Sequence, residues 1–228
     1  MPPRKSKTKP SVLQIASEAL PFAKTGGLAD VVGALPSALA RLGWNVTVVL
    51  PRYRGVDAGT EAARFMVTVG GFAREAVFVD APMADGVRAI LVQCDELYDR
   101  DRIYGIGDVD YADSPRRFAY LVRAALEFAA RVGPKPSLVH AHDWQTALAP
   151  VYLKTLYADH PVLAGMPSVL TIHNLAYQGL FEADWLPRID LGWDQFTVDR
   201  LEYWNRISLL KGGINAADVV TTVSPRYA

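Results

Sequence analysis

The sequence predicts an α/β fold, a doubly wound and mostly parallel sheet with helices on both faces. Two observations carry that expectation. Short, almost unbroken apolar runs at residues 12–16, 46–50, 138–141, 168–172 and 219–223 have the length and density of parallel strands buried on both sides. Stretches with apolar residues at helical spacing lie between them, so strand and helix alternate along the chain.

The elements follow in order. Residues 1–11 are rich in Pro and Lys and predict a disordered basic tail, which leaves residues 12–228 as the domain. After the first strand, residues 17–27 read as a loop holding Pro21 and the Gly26-Gly27 pair. Leu28, Val31, Val32, Leu35, Leu39 and Leu42 are spaced for a helix over 28–42. Pro36 predicts a kink or break inside it, and Gly43 a stop at its end. The strand at 46–50 closes a βαβ unit, whose two strands must run parallel. Strands at 65–69, 76–79 and 87–92 are separated by Gly70-Gly71 and Asp85-Gly86, which predicts an antiparallel patch at the sheet edge. Residues 96–114 read as a long loop. Helices at 115–132 and 145–157 flank the strand at 138–141. Residues 174–200 are again loop-rich, and a helix over 206–215 precedes the last strand.

Composition narrows the function. Lys and Arg number 24, as do Asp and Glu, so the chain has no net charge to meet a nucleic acid. Four of the bases sit in the first ten residues, leaving a slightly acidic body of the kind common in enzymes. Cys94 is the only cysteine, which excludes an intramolecular disulfide and a cysteine metal cluster. The apolar stretch at 12–22 is interrupted by Gln14, Ser17, Glu18 and Pro21, and no run reaches the ~20 apolar residues of a membrane helix. These features predict a cytoplasmic protein that binds neither nucleic acid nor membrane.

Three constellations could carry chemistry. Lys24-Thr25-Gly26-Gly27-Leu28-Ala29-Asp30 follows the first strand and opens the first helix. Free backbone N–H groups and the helix dipole there attract anions, and the glycines let a ligand approach the backbone. The pattern is neither the dinucleotide G-x-G-x-x-G, which counts against a dehydrogenase, nor a P-loop. The equally simple reading is a tight turn with a surface Lys. The second is His140-Ala141-His142-Asp143-Trp144, and the third is His173-Asn174. Three of the four histidines thus fall at carboxyl ends of strands, where doubly wound sheets place ligands. A metal held by His140, His142 and Asp143 is the weaker alternative. Asp108-Val109-Asp110 reads as a solvated acidic loop. Tyr104, Tyr111, Trp185, Trp193, Tyr203 and Trp204 sit in or near loops and suit sugar faces, an interface or a core.

The string from Lys24 to Asp30, continued through Val31-Val32-Gly33-Ala34-Leu35-Pro36, closely resembles the bacterial glycogen synthase and starch synthase family. The resemblance returns at Val139-His140-Ala141-His142-Asp143-Trp144-Gln145, at residues 171–179 around His173-Asn174, and at Thr221-Thr222-Val223-Ser224-Pro225. It covers nearly everything after residue 11. It implies a retaining glucosyltransferase that moves glucose from ADP-glucose to the non-reducing end of an α-1,4-glucan. It also implies the amino-terminal, Rossmann-like half of a GT-B architecture, with the carboxy-terminal domain absent from this chain. No cofactor or metal is implied, ADP-glucose being a substrate. By position, Lys24, Gly26 and Gly27 would meet the sugar nucleotide, with Asp30 near the same pocket. His173 would contact the transferring glucose, and Asp143, Trp144, Asn174 and Tyr104 would line the glucose or acceptor site. His173, Asp143 and Lys24 are the expected catalytic residues. Gln145 stands where many family members carry His. Because the half that grips ADP is missing, the chain is expected to be inactive alone. The alternative is a stand-alone, non-catalytic α-glucan-binding module.

Overall fold

The computed structural model describes residues 9–84, 86–107 and 109–225. Of the expected disordered tail at 1–11, residues 1–8 lie outside the described residues, as do Asp85 of the second turn and Asp108 of the acidic loop, while Ser11 is no tail residue but opens the first strand, buried.

The chain begins with β1 (Ser11–Ile15), α1 (Gly27–Arg41) and β2 (Asn45–Pro51), the expected βαβ unit, with β1 and β2 in parallel register. Next come β3 (Thr60–Val69), β4 (Phe72–Ala84) and β5 (Val87–Gln93), then α2 (Asp95–Tyr98), β6 (Gly105–Ile106) and β7 (Val109–Asp110). The long α3 (Ser114–Arg131) leads to β8 (Leu138–His142), α4 (Asp143–Thr146) and α5 (Leu148–Lys154). The chain closes with β9 (Ser168–Ile172), β10 (Leu180–Glu182), β11 (Glu202–Tyr203), β12 (Arg206–Ser208), α6 (Leu209–Ala216) and β13 (Val219–Thr222).

The main sheet has the order β13-β9-β8-β1-β2-β5-β4-β3. From β13 to β5 every neighbouring pair is parallel, while β4 and β3 add the predicted antiparallel edge. Strand residues alternate between two cores. Leu13, Ile15, Val139 and Ala141 face the core built with α3 and α5, while Val12, Ala16, Val46 and Val48 face the core under α1. His140 and His142 therefore fall on the α1 side of the sheet. β1 and β8 are adjacent although far apart in sequence, so the winding direction reverses between them, and ligands of doubly wound folds bind at such a point.

Four expectations are corrected. Pro36 does not break α1, which runs through it, and Pro36 is buried on the helix's core side. The helix foreseen at 145–157 is two short helices that part at Ala147. Pro150 has no N–H to give the carbonyl of Thr146, and its ring crowds that carbonyl. The helix foreseen from 206 starts at Leu209, because Arg206–Ser208 pairs with β10 and β11 and the Ser208 side chain caps α6 by accepting from the Lys211 N–H at 3.1 Å. The loop foreseen at 96–114 holds the helical turn α2 and the β6–β7 hairpin.

Close backbone approach sets how the α4–α5 corner sits. A Cβ on Gly213 of α6 would lie 2.6 Å from the Ala147 Cβ and 2.7 Å from its carbonyl oxygen. Gly213→Val should force α6 away from this corner and destabilise the fold by about 1–3 kcal/mol, read as a lower urea midpoint with an unchanged slope.

Candidate functional site

Three loops meet beyond the carboxyl ends of the central strands and enclose a cleft of about 630 Å³. After β1, the loop at 17–26 and the first residue of α1 carry Glu18, Thr25, Gly26 and Gly27 into its wall. After β8 come Asp143, Trp144 and Gln145, and after β9 come His173 and Asn174. Tyr104 and Ser114 close the side, and Tyr177 stands largely exposed at the rim.

The junction of β8 and β9 turns on Asp143. Its φ is 56°, the left-handed region that Asp tolerates better than most residues. Its Oδ1 accepts the backbone N–H of His173 at 2.7 Å and of Asn174 at 3.3 Å. Burial pushes its carboxyl above the usual carboxylate range, while those N–H groups pull it back. Asn174 Oδ1 in turn accepts the Ala176 N–H at 3.0 Å and shapes the loop toward Tyr177. Trp144 packs edge-on against Phe118 at 5.2 Å, and Gly179, at φ 61°, lies against its ring. A Cβ at Gly179 would come within 2.7 Å of that ring, so only glycine serves there.

The three histidines are one cluster. The His140 and His142 rings stand 4.2 Å apart, His142 Nδ1 is 3.0 Å from His173 Nε2, and His140 Nε2 is 2.6 Å from Thr171 Oγ1. Burial is the main cause in all three of a pKa below the ordinary histidine value. It is helped by the like charge of His173 on His140, which falls to about 4, and by both neighbours on His142. For His173 the Asp143 carboxylate opposes the shift. All three are neutral at pH 7. Among the described residues no group of three or more His, Cys, Asp or Glu is placed to hold a metal ion.

On the other side of the reversal, Glu18 is almost fully buried. Its carboxylate accepts the backbone N–H of Thr25, the Thr25 hydroxyl at 2.7 Å and the Tyr104 hydroxyl. Tyr104 Oη also lies 2.9 Å from Ser17 Oγ, and Tyr53 donates to the Ser17 carbonyl at 2.9 Å. One carboxylate thus joins the glycine loop to the 96–113 segment. In the sequence Glu18 stands out only as an interruption of an apolar stretch; an acid just past a buried strand is the signal that points to it.

Of the predicted site residues, the structure brings Gly26, Gly27, Tyr104, Asp143, Trp144, His173 and Asn174 to the cleft. Lys24 and Asp30 lie outside its lining and pair with each other at 2.7 Å, both about half exposed. Such a pair is worth at most about 1 kcal/mol and is readily exchanged for another partner. Of the loop aromatics, Tyr104 alone joins the cleft, while Trp193 and Trp204 are exposed elsewhere. Asp110 of the acidic loop reaches the rim. Nothing within 4 Å would meet a Cβ on Gly26 or Gly27, so the first turn of α1 is open to a ligand, and no side chain caps it.

The low pKa of His140 gives a signed prediction. Its unfolded value is near 6.5 and its folded value about 4, so the unfolded chain takes up more protons in that window. Its contribution to stability is intact above pH 6.5 and is lost progressively as pH falls toward 4. Asp143, raised, acts the other way just above its ordinary value. Comparison of the native chain with His140→Asn cancels that contribution: urea midpoints measured from about pH 7.5 to 4.5 should fall more steeply for the native chain. Glu18→Gln sets an amide N–H against a donor and should cost about 1–3 kcal/mol, visible as a lower thermal midpoint and faster hydrogen exchange at the Thr25 amide.

The family described as starch synthase catalytic domain matches residues 11–228. Glycogen synthase 2 of Geobacter sulfurreducens is 44% identical over 226 residues, covering 95% of this chain and 46% of that protein. A glycogen synthase of Koribacter versatilis is 46% identical over 216 residues, 93% of this chain and 44% of that one. The catalytic domain of starch synthase IV from Arabidopsis thaliana, bound to ADP and acarbose, shares its GT-B fold with this chain over the matched part, with a TM-score of 0.85 at 32% identity over 96% of this chain and 46% of that one. The chain spans less than half the length of these relatives.

Proposed function

The chain belongs to the starch synthase catalytic domain family, and from that premise we propose that it is the acceptor-side, amino-terminal domain of a retaining glucosyltransferase. The donor is ADP-glucose, and the acceptor is the non-reducing end of an α-1,4-glucan such as glycogen or a malto-oligosaccharide. The observation that carries the reading is the convergence of three motif loops on one cleft, with His173, Asp143 and the open start of α1 in its wall. The ADP bound to the Arabidopsis domain supports an adenine nucleotide as the leaving group.

The chemistry matches the residues. Cleaving the glucosyl–phosphate bond builds positive charge on the sugar and negative charge on the departing diphosphate. The uncapped N–H groups at the start of α1 and a Lys24 released from Asp30 stabilise the diphosphate. His173 orients the glucose as a neutral imidazole, which makes a hydrogen bond without repelling the cationic sugar. The Asp143 carboxylate, when ionised, adds favourable charge on that side. Tyr104, Trp144 and Asn174 shape the glucose and acceptor surface. The remaining ADP-binding groups come from a second domain outside this chain.

Replacing the matching part of the Geobacter sulfurreducens protein with this chain tests the reading. The chimera should transfer glucose from ADP-glucose to glycogen. His173→Ala in it should lower kcat by about 10²-fold or more with a smaller change in KM, while this chain alone should show no transfer. A folded chimera that binds glycogen but transfers nothing would favour a non-catalytic glucan-binding module, and transfer by the chain alone would overturn the need for a second domain.

A further inference from the structure

Behind His173 lies a strip of uncharged polar groups, from the exposed Thr221 through the buried Thr171 and the half-buried His140 to the fully buried His142, for which the glucosyl reading has no use. It runs along the α1 side of the sheet. The Thr221 hydroxyl is 2.7 Å from that of Thr171, which is 2.6 Å from His140 Nε2, and the His140 ring lies against that of His142. His142 is fully buried, and its Nδ1 reaches His173 Nε2 at 3.0 Å. Its other nitrogen, Nε2, is buried with no partner.

That orphan atom decides where the protons are. Two neutral imidazoles carry one N–H each, so a single proton lies between His142 and His173. If His173 donated from Nε2, His142 would carry its proton on its own Nε2, a buried N–H with no acceptor. If His142 donates from Nδ1, its Nε2 is left as a bare lone pair. A buried orphan donor is rarer in proteins than an under-used acceptor, so the second arrangement holds. His173 then keeps its own proton on Nδ1, which has no protein partner among the described residues.

We propose that His142 is a positioning residue that fixes the tautomer of His173: its Nδ1–H donates to His173 Nε2, so that His173 offers Nδ1–H as a hydrogen-bond donor to whatever occupies the cleft. The role presupposes the reading of the cleft as a glucosyl site, since a donor aimed at a sugar oxygen is what the arrangement supplies. The Thr171–His140 contact acts behind it, holding the His140 ring against the face of His142. Alternation places Gln14 of β1 on the same sheet side, in register with His140, and both of its side-chain polar atoms are also buried without partners. No acid lies in the strip to draw a second proton onto His142. Asp143 acts on His173 from the other side.

The test is a long-range proton–nitrogen correlation spectrum of this chain labelled with ¹⁵N-histidine, at about pH 7.5 where the cluster is neutral, with His173→Gln used to assign the signals. His173 is expected to show a protonated Nδ1 and a bare Nε2. His142→Asn places an amide N–H near the position of Nδ1 and should preserve that tautomer. His142→Phe keeps a ring but no donor and should abolish the Nδ1–H preference. A proton on Nε2 of His173 in the native chain overturns the proposal, as does an unchanged tautomer in the Phe variant. If the Phe variant does not fold, the native chain and the Asn variant still decide, because a mixed tautomer in Asn counts against the clamp. No glucosyl transfer is measured, so this result and the fate of the transferase reading remain separable.

Discussion

The site depends on one reversal of the backbone at Asp143. The chain leaves β8 in a left-handed conformation, which for a non-glycine residue costs on the order of 1–2 kcal/mol. Two hydrogen bonds to the same side chain, from the His173 and Asn174 N–H groups, hold that conformation in place. They also join the ends of β8 and β9, so two motifs about thirty residues apart share one wall of the cleft. Without that carboxylate the loop after β9 would lose its anchor and His173 its fixed backbone. Burial of the carboxyl is therefore a structural requirement first and a chemical opportunity second.

Glu18 plays the matching part across the switch point. It takes two donors from Thr25 and one from Tyr104, and so holds the glycine loop and the 96–113 segment together. A carboxylate that receives several hydrogen bonds gives the loop one geometry rather than many, and lowers the ordering cost when a ligand arrives. The two carboxylates brace the cleft from opposite sides. What is left uncommitted is the first turn of α1, the Nδ1 edge of the His173 ring and the exposed Tyr177.

Much of the scaffold was legible. Strands such as β1 and β9 are buried on both faces, so they read as apolar runs whatever surrounds them, and Gly70-Gly71 marked the β3–β4 hairpin. Boundaries failed where one residue's effect was misjudged. Pro150 splits a helix that periodicity joins, while Pro36 is absorbed into α1. Most of the site was legible too, because its histidines, Asp143 and the glycines stand at strand ends that topology brings together. Glu18 was not, since its role depends on Tyr104, 86 residues away. Nor was the Lys24–Asp30 pairing, which is settled by the reach of the Lys24 side chain from the loop to the first turn of α1.

The charge on this wall bears on how the work is divided. The described lining of the cleft holds Glu18, Asp110 and Asp143 and no Lys or Arg, and its histidine is neutral. For the proposed glucosyl transfer, a surface of that kind favours a sugar on which positive charge develops and offers little to a departing diphosphate. The first turn of α1 supplies only about half a unit of positive charge, and Lys24 must first leave Asp30. On the proposed glucosyl-transfer reading, most of the cationic stabilisation is left to groups outside the described lining of this cleft. The asymmetry also explains why neutral histidines suit the site. On the proposed reading an imidazolium next to the sugar would oppose the charge that the reaction creates, and burial holds His173, the histidine in the cleft wall, below the ordinary histidine value against the pull of Asp143.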